Sequence, residues 1–190
     1  MRNGDPLGSP FRVRGIPLTY LGCMDGVARK LQEESLRRLT KSHERIVKCV
    51  GLLSDEQLWK RPNAHVVSVG NLVLHLTGNV GQWIIATLGR APDQRDRDTE
   101  FDTQGPLERQ DLLDGLTSTV NDANHVILGL TERELAHDWK VQGFSESGVA
   151  ILVHVVEHFS YHTGQISLHT KLLLDTDLGY YAGQDLTTHG

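Results

Sequence analysis

His154, His158 and His162 recur at a strict four-residue interval in the run 153–171, VHVVEHFSYHTGQISLHTK. On an α-helix that interval stacks successive side chains one turn apart on nearly one face. Two imidazoles at i and i+4 can share a metal ion, and helix-borne metal sites commonly use that spacing. With 10 histidines in 190 residues, chance supplies roughly half an i,i+4 pair per chain, and a double step on the order of 0.03 times. A histidine on an apolar helix face is also more often a core residue than a ligand. The run therefore needs a ligand from another helix.

That ligand is offered by His75, which belongs to a polar column of Asn71, His75, Asn79 and Gln82 at steps of four, four and three residues. The column runs beside an apolar stripe of Leu72, Val73, Leu76, Val80, Trp83, Ile84 and Leu88. Such a column can be a solvated edge, or it can line a polar pocket between helices. With His158 and His162 facing it, His75 completes a three-histidine group with open positions for water or substrate. Structural zinc is usually closed by four protein ligands, so three ligands point to chemistry. His154 lies one turn off and His169 two turns away, which leaves both as spare groups. Glu157, Tyr161 and Gln82 are the candidate catalytic assistants. Imidazole donors fit zinc or nickel foremost, with iron, manganese and copper also open.

The elements that must position these groups are helical. Apolar periodicity predicts helices over 24–50, 68–88, 106–130 and from 145 or 147 to 174. Gly51 is the expected terminator of the first. Ser54-Asp55-Glu56-Gln57 and Thr131-Glu132-Arg133-Glu134 have the form of capping boxes and predict two short helical turns. Gly70, Gly78 and Gly81 weaken the second helix and imply a close approach or room for a ligand. Residues 140–143 read as a brief extended link. Residues 89–105 form a long polar connection, expected near one end of helix two, where it would shape access to the site or a subunit contact. Its alternating charges Arg95-Asp96-Arg97-Asp98 read as solvated surface. The expected architecture is all-α, a four-helix bundle over 23–174, with an arm at 1–22 and a tail at 175–190.

Composition sets the outer limits. A net charge of −5 and a pI near 6.0 argue against a nucleic-acid partner, which selects a basic face. No apolar run approaches ~20 residues, so no membrane-spanning helix is expected. The start of the chain lacks the apolar core of a signal peptide, which predicts a cytoplasmic protein. Cys23 and Cys49, the only cysteines, are then free thiols by default. His154-Val155-Val156-Glu157-His158 spells H-x-x-E-H, an inverted zinc-peptidase pattern. That family takes its third ligand from a glutamate well downstream, and only 32 residues follow His158. No G-x-S-x-G, P-loop or dinucleotide glycine pattern occurs.

The stretches SVGNLVLHLTGNVGQWI at 68–84 and VVEHFSYHTGQI at 155–166 resemble the DinB-like (damage-inducible) superfamily. LSDEQLW at 53–59, Arg95 to Phe101 and Glu33 to Leu39 resemble an uncharacterised bacterial branch of it. The resemblance covers about 25–174. It implies an up-down-down-up four-helix bundle with a long crossover between helices two and three. It also implies a divalent metal on His75, His158 and His162, and a frequent homodimer. Apolar residues left over on helices one and three fit such a dimer. Better-known relatives are metal-dependent enzymes acting with low-molecular-weight thiols. Some mycothiol-type relatives carry Glu where this chain has His158. Two function classes follow: a metal-dependent thiol S-transferase or hydrolase acting on a small molecule, or a non-catalytic bundle whose metal stabilises the fold or a dimer.

Overall fold

The computed structural model describes residues 26–187. The expected arm at 1–22 and Cys23 lie outside the described residues. Within them the chain is mostly helical, with four long helices: α1 (Gly26–Leu52), α3 (Val69–Val80), α5 (Arg109–Gly129) and α7 (Gly148–Leu174). Short helices α2 (Asp55–Trp59), α4 (Arg97–Asp102) and α6 (Glu132–Ala136) lie between them. The helix ends agree with the apolar periodicity to within about three residues, the usual uncertainty of a boundary.

Local chemistry accounts for the starts. Ser54, Ser68 and Thr131 each close a capping box, with Gln57, Asn71 and Glu134 reaching back to the cap. Two backbone N–H groups are satisfied at each of these helix starts. Ser147 caps α7 by accepting from the Ala150 N–H. Gly51 does not terminate α1, because the helix runs on through it to Leu52.

α1 packs on α7 and α5, and α3 packs on α5 and α7, so each long helix touches two others. Ile46, Leu76, Ile84, Leu116, Ile127, Ile151, Phe159 and Ile166 are fully buried between them. Burying each such side chain contributes roughly 1.5–3 kcal/mol. Gln32 of α1 is buried too, and its amide donates to the Ile127 and Leu130 carbonyls at 2.6 and 2.9 Å. It thereby satisfies the open C-terminus of α5.

Two features depart from the sequence expectation. The second long helix changes to π geometry over Gly81–Leu88, with Thr87 Oγ1 donating to the Gln82 carbonyl at 2.8 Å. Where an extended link was expected, strands β1 (Asp138–Val141) and β2 (Phe144–Ser147) pair antiparallel. Gln142 and Gly143 join them with positive φ at both positions, as a two-residue hairpin turn requires. The tail folds back: Leu178 is buried, and Tyr180 Oη lies 3.1 Å from Cys49 Sγ and 2.7 Å from Ser167 Oγ. Cys49 is a free, buried thiol. No helix among the described residues is long and apolar enough to cross a membrane.

Candidate metal centre

His158 and His162 lie one turn apart on α7, half-buried, and His75 faces them from α3 with 6% of its surface exposed. His158 Nε2 stands 3.1 Å from His75 Nε2 and 3.2 Å from His162 Nε2. All three ligand atoms fall within 4.8 Å of one another.

Neighbouring side chains settle which nitrogens carry protons. His75 Nδ1 lies 2.8 Å from Glu100 Oε2. A carboxylate only accepts, so Nδ1 is the donor, and in the neutral imidazole Nε2 carries the lone pair. The Arg95 guanidinium is 3.2 Å from the same nitrogen. Two donors do not bond, so Arg95 serves Glu100 instead, at 2.7 Å to Oε1 and 2.9 Å to Oε2. His162 Nδ1 donates to Gln165 Oε1 at 2.6 Å, while the Gln165 amide donates to Tyr161 Oη at 3.1 Å. Two of the three Nε2 atoms are thus bare lone pairs. A single N–H on His158 can satisfy only one of them, and His158 Nδ1 is buried without a partner.

A cation resolves that conflict. The 3.1 and 3.2 Å separations are short enough for one ion held by bonds of about 2.0–2.1 Å, and His75 and His162, within 4.8 Å, would need to stand no more than about 4.2 Å apart to share it. The donor set therefore fits one divalent ion with open positions. The electrostatics agree. Burial and the neighbouring imidazoles His162 and His75 push His158 from 6.5 down to about 3. Burial also lowers His162, against the opposing pull of Gln165. Both stay neutral and available as ligands near pH 7. Burial raises the Glu100 carboxyl, but hydrogen bonds from Arg95 and His75 outweigh it and hold it below the ordinary range.

Glu100 and Arg95 were not expected at the site. They come from the segment read as a solvated connection, yet the Arg95 and Glu100 side chains are 3% and 7% exposed. The polar column of α3 is what grips that segment. The Asn71 amide donates to the Glu100 and Thr103 carbonyls at 3.0 and 2.7 Å. His75 meets Glu100, and Gln82 Oε1 accepts from Arg95 Nη1 at 3.0 Å. Gly78 lets the segment in, because a Cβ there would collide with the Glu100 carboxylate. The implied close approach is real at Gly78 and at Gly70, which abuts the Trp59 indole. Gly81 faces open space.

The other candidates fall outside the triad. Glu157 is exposed and lines a groove of about 540 Å³ with Leu31 and Ser35 of α1. Tyr161 is 62% exposed, its ring 5.0 Å from that of His162. Gln82 is held by Arg95, Asp93 and Gln142. The His154 ring stacks on Trp83 at 4.0 Å and lies 5.5 Å from the His158 ring. His169, two turns on, is half-buried, and burial lowers its pKa.

Residues 26–181 match the family model described as "Protein of unknown function (DUF1572)". The chain belongs to that family. Its fold is DinB-like, as solved structures indicate. A DinB-like protein from Bacillus cereus ATCC 10987 superposes with a TM-score of 0.61 at 17% identity, covering 74% of this chain and 91% of that one. A conserved protein from Enterococcus faecalis gives 0.66 at 18% identity, covering 81% and 100%. A DinB-like protein from Bacillus subtilis gives 0.59 at 14% identity, covering 76% and 94%. No curated protein matches the chain at a significant level. At these identities the likeness to solved structures establishes the fold alone.

Proposed function

We propose that this DUF1572 chain is a metal-dependent enzyme whose His75, His158 and His162 hold one divalent ion, zinc or nickel before iron or manganese. The reaction class is thiol S-transfer or hydrolysis on a small molecule. The observation that carries the reading is the convergence of three Nε2 atoms, with two of the tautomers fixed by Glu100 and Gln165. An ion in this setting supplies Lewis acidity, which lowers the pKa of a water or a low-molecular-weight thiol.

The chain's own residues do the rest. His75, His158 and His162 would supply three ligands, one fewer than the four that close a structural zinc site. Glu100 stays ionised between Arg95 and His75, so it orients the imidazole and does not exchange protons. Gln165 does the same for His162. The Phe101 ring lies 4.8 Å from that of His75.

The same reading takes the long helices as an up-down-down-up bundle, with residues 89–108 as the crossover, and the protein as a cytoplasmic homodimer. Exposed Val149, Val153, Leu168 and Leu172 on α7 support a subunit contact. The leftover apolar surface lies mainly on the fourth long helix, with Val27 and Leu52 on α1 and none within α5.

The test is a screen of chelator-treated and metal-reconstituted protein against thiols paired with an alkyl halide, and against simple esters. Turnover should return with the metal and be absent in His158→Ala. A fully loaded protein that is inert in every assay, but melts higher than the metal-free form, would favour a stabilising metal.

A further inference from the structure

The three triad imidazoles are unequally supported on the side away from the ion. His75 Nδ1 meets Glu100 and His162 Nδ1 meets Gln165, whereas His158 Nδ1 is buried without a partner. A ligating histidine almost always donates its second ring N–H to an acceptor, which holds the ring and its tautomer. When the three Nε2 atoms share an ion, the one proton of the neutral His158 ring sits on Nδ1. A buried N–H left unmatched there carries its full desolvation cost.

We propose that Asn79 is the positioning residue for His158, with Asn79 Oδ1 accepting the Nδ1–H of the metal-bound ring directly or through one bridging water. The inference rests on the reading of the metal centre. Asn79 is 4% exposed, and its Oδ1 is buried without a hydrogen-bond partner. It stands four residues after His75 and four before Trp83 on the second long helix. Both of those neighbours touch the same part of α7. His75 Nε2 lies 3.1 Å from His158 Nε2. The Trp83 ring packs at 4.0 Å on that of His154, which lies 5.5 Å from the His158 ring. Asn79 is therefore set between two contacts with adjacent turns of α7, opposite His154 and His158.

The other acceptors near the triad are committed. Glu100 is engaged by Arg95 and His75, Gln165 by His162, and Glu157 is exposed in the groove shared with α1. Among the described residues Asn124 Oδ1 is the other buried side-chain oxygen without a partner, but it belongs to α5, which packs on α1 and the second long helix. The donors match the amide as well. Trp83 Nε1–H is buried and unpartnered too, and an amide oxygen has two lone pairs, one for each N–H. The terminal torsion of an Asn side chain is soft, so the amide can turn toward His158 when the proton arrives at Nδ1. While that proton is on Nε2, Nδ1 is itself an acceptor and Asn79 Oδ1 offers it nothing. The contact thus belongs to the loaded state alone.

The experiment uses zinc as the probe on the full-length protein, with the variants Asn79→Leu and Asn79→Asp. Affinity is read by competition with a chelator, metal-free stability by thermal melting, and the ring protons by ¹⁵N-histidine NMR. Asn79→Leu should weaken zinc binding at least about tenfold. It should leave the metal-free Tm unchanged or higher, because it removes a buried acceptor that has no partner. Asn79→Asp, which keeps an acceptor, should bind zinc at least as tightly as wild type. Zinc-loaded wild type should show three protected Nδ1–H resonances. Asn79→Leu should move or broaden one of them, while the two assigned through Glu100→Gln and Gln165→Leu stay in place. Wild-type affinity in Asn79→Leu, an affinity loss accompanied by a lower metal-free Tm, or no recovery in Asn79→Asp would overturn the assignment. A wild type that binds no zinc would remove the metal centre as well, whereas zinc bound with indifference to Asn79 would overturn this inference alone.

Discussion

His75 Nδ1 donates to Glu100 Oε2 at 2.8 Å, across 25 residues of chain and with both side chains 7% exposed. Arg95 holds the same carboxylate from its other side. A carboxylate behind a ligating imidazole fixes its ring and raises its basicity, and losing such a partner typically lowers metal affinity by about 10–100-fold. Glu100→Gln keeps an acceptor for His75 but removes the charge. It should weaken metal binding within that range in a competition titration with a chelator, while the circular dichroism spectrum stays helical. Unchanged affinity would reduce Glu100 to a packing role.

Acid should destabilise the metal-free protein. His158 has its pKa depressed on folding, from 6.5 to about 3, so the unfolded chain binds more protons between those values and stability rises with pH there. The contribution is whole above about pH 6.5 and is lost as pH falls toward the folded value. His162 shifts in the same direction. Glu100, also depressed, adds loss only below the ordinary carboxylate value. Thermal melts of metal-free protein should fall from pH 7 to pH 5, and His158→Asn should flatten that slope. A flat wild-type profile would contradict the burial of these rings.

Two glycines of one helix should behave oppositely. Gly78→Ala drives a methyl into the Glu100 carboxylate, and overpacking of this kind costs about 1–3 kcal/mol. It should also lower metal affinity, because Glu100 must move away from His75. Gly81 is helical at φ −55° and meets nothing within 4 Å. Gly81→Ala should therefore be neutral or stabilising by up to about 1 kcal/mol. Urea titrations of the two variants decide the point. Equal losses would mean that the connection does not pack against Gly78.

The contrast marks how far the sequence could be read. His158 and His162 were legible because a helix makes i and i+4 neighbours by local geometry alone. His75 followed from the polar column on the facing helix. Glu100 and Arg95 were not legible, because the pairing that buries them is non-local. Alternating charge from Arg95 to Asp98 is the pattern of solvated surface, and no local rule says that Asn71, His75 and Gln82 will draw the segment in. The length of residues 89–105 set the connection near one end of helix two and Gly78 marked a close approach, but neither named the pairing. The hairpin was missed because four-residue strands such as Asp138–Val141 are too short for a periodic signal. The π segment left none either, since Gly81–Leu88 keeps the apolar pattern of the helix it extends.

The most direct test of the metal centre is the metal content of untagged protein by mass spectrometry, compared across single alanine variants. Wild type should carry one divalent ion per chain. His75→Ala, His158→Ala and His162→Ala should each lose most of it, since every one removes a converging Nε2. His154→Ala and His169→Ala should keep it, because the His154 ring stacks on Trp83 and His169 lies outside the group. Full metal content in His75→Ala, together with loss in His154→Ala, would place the ion on α7 alone and contradict the account.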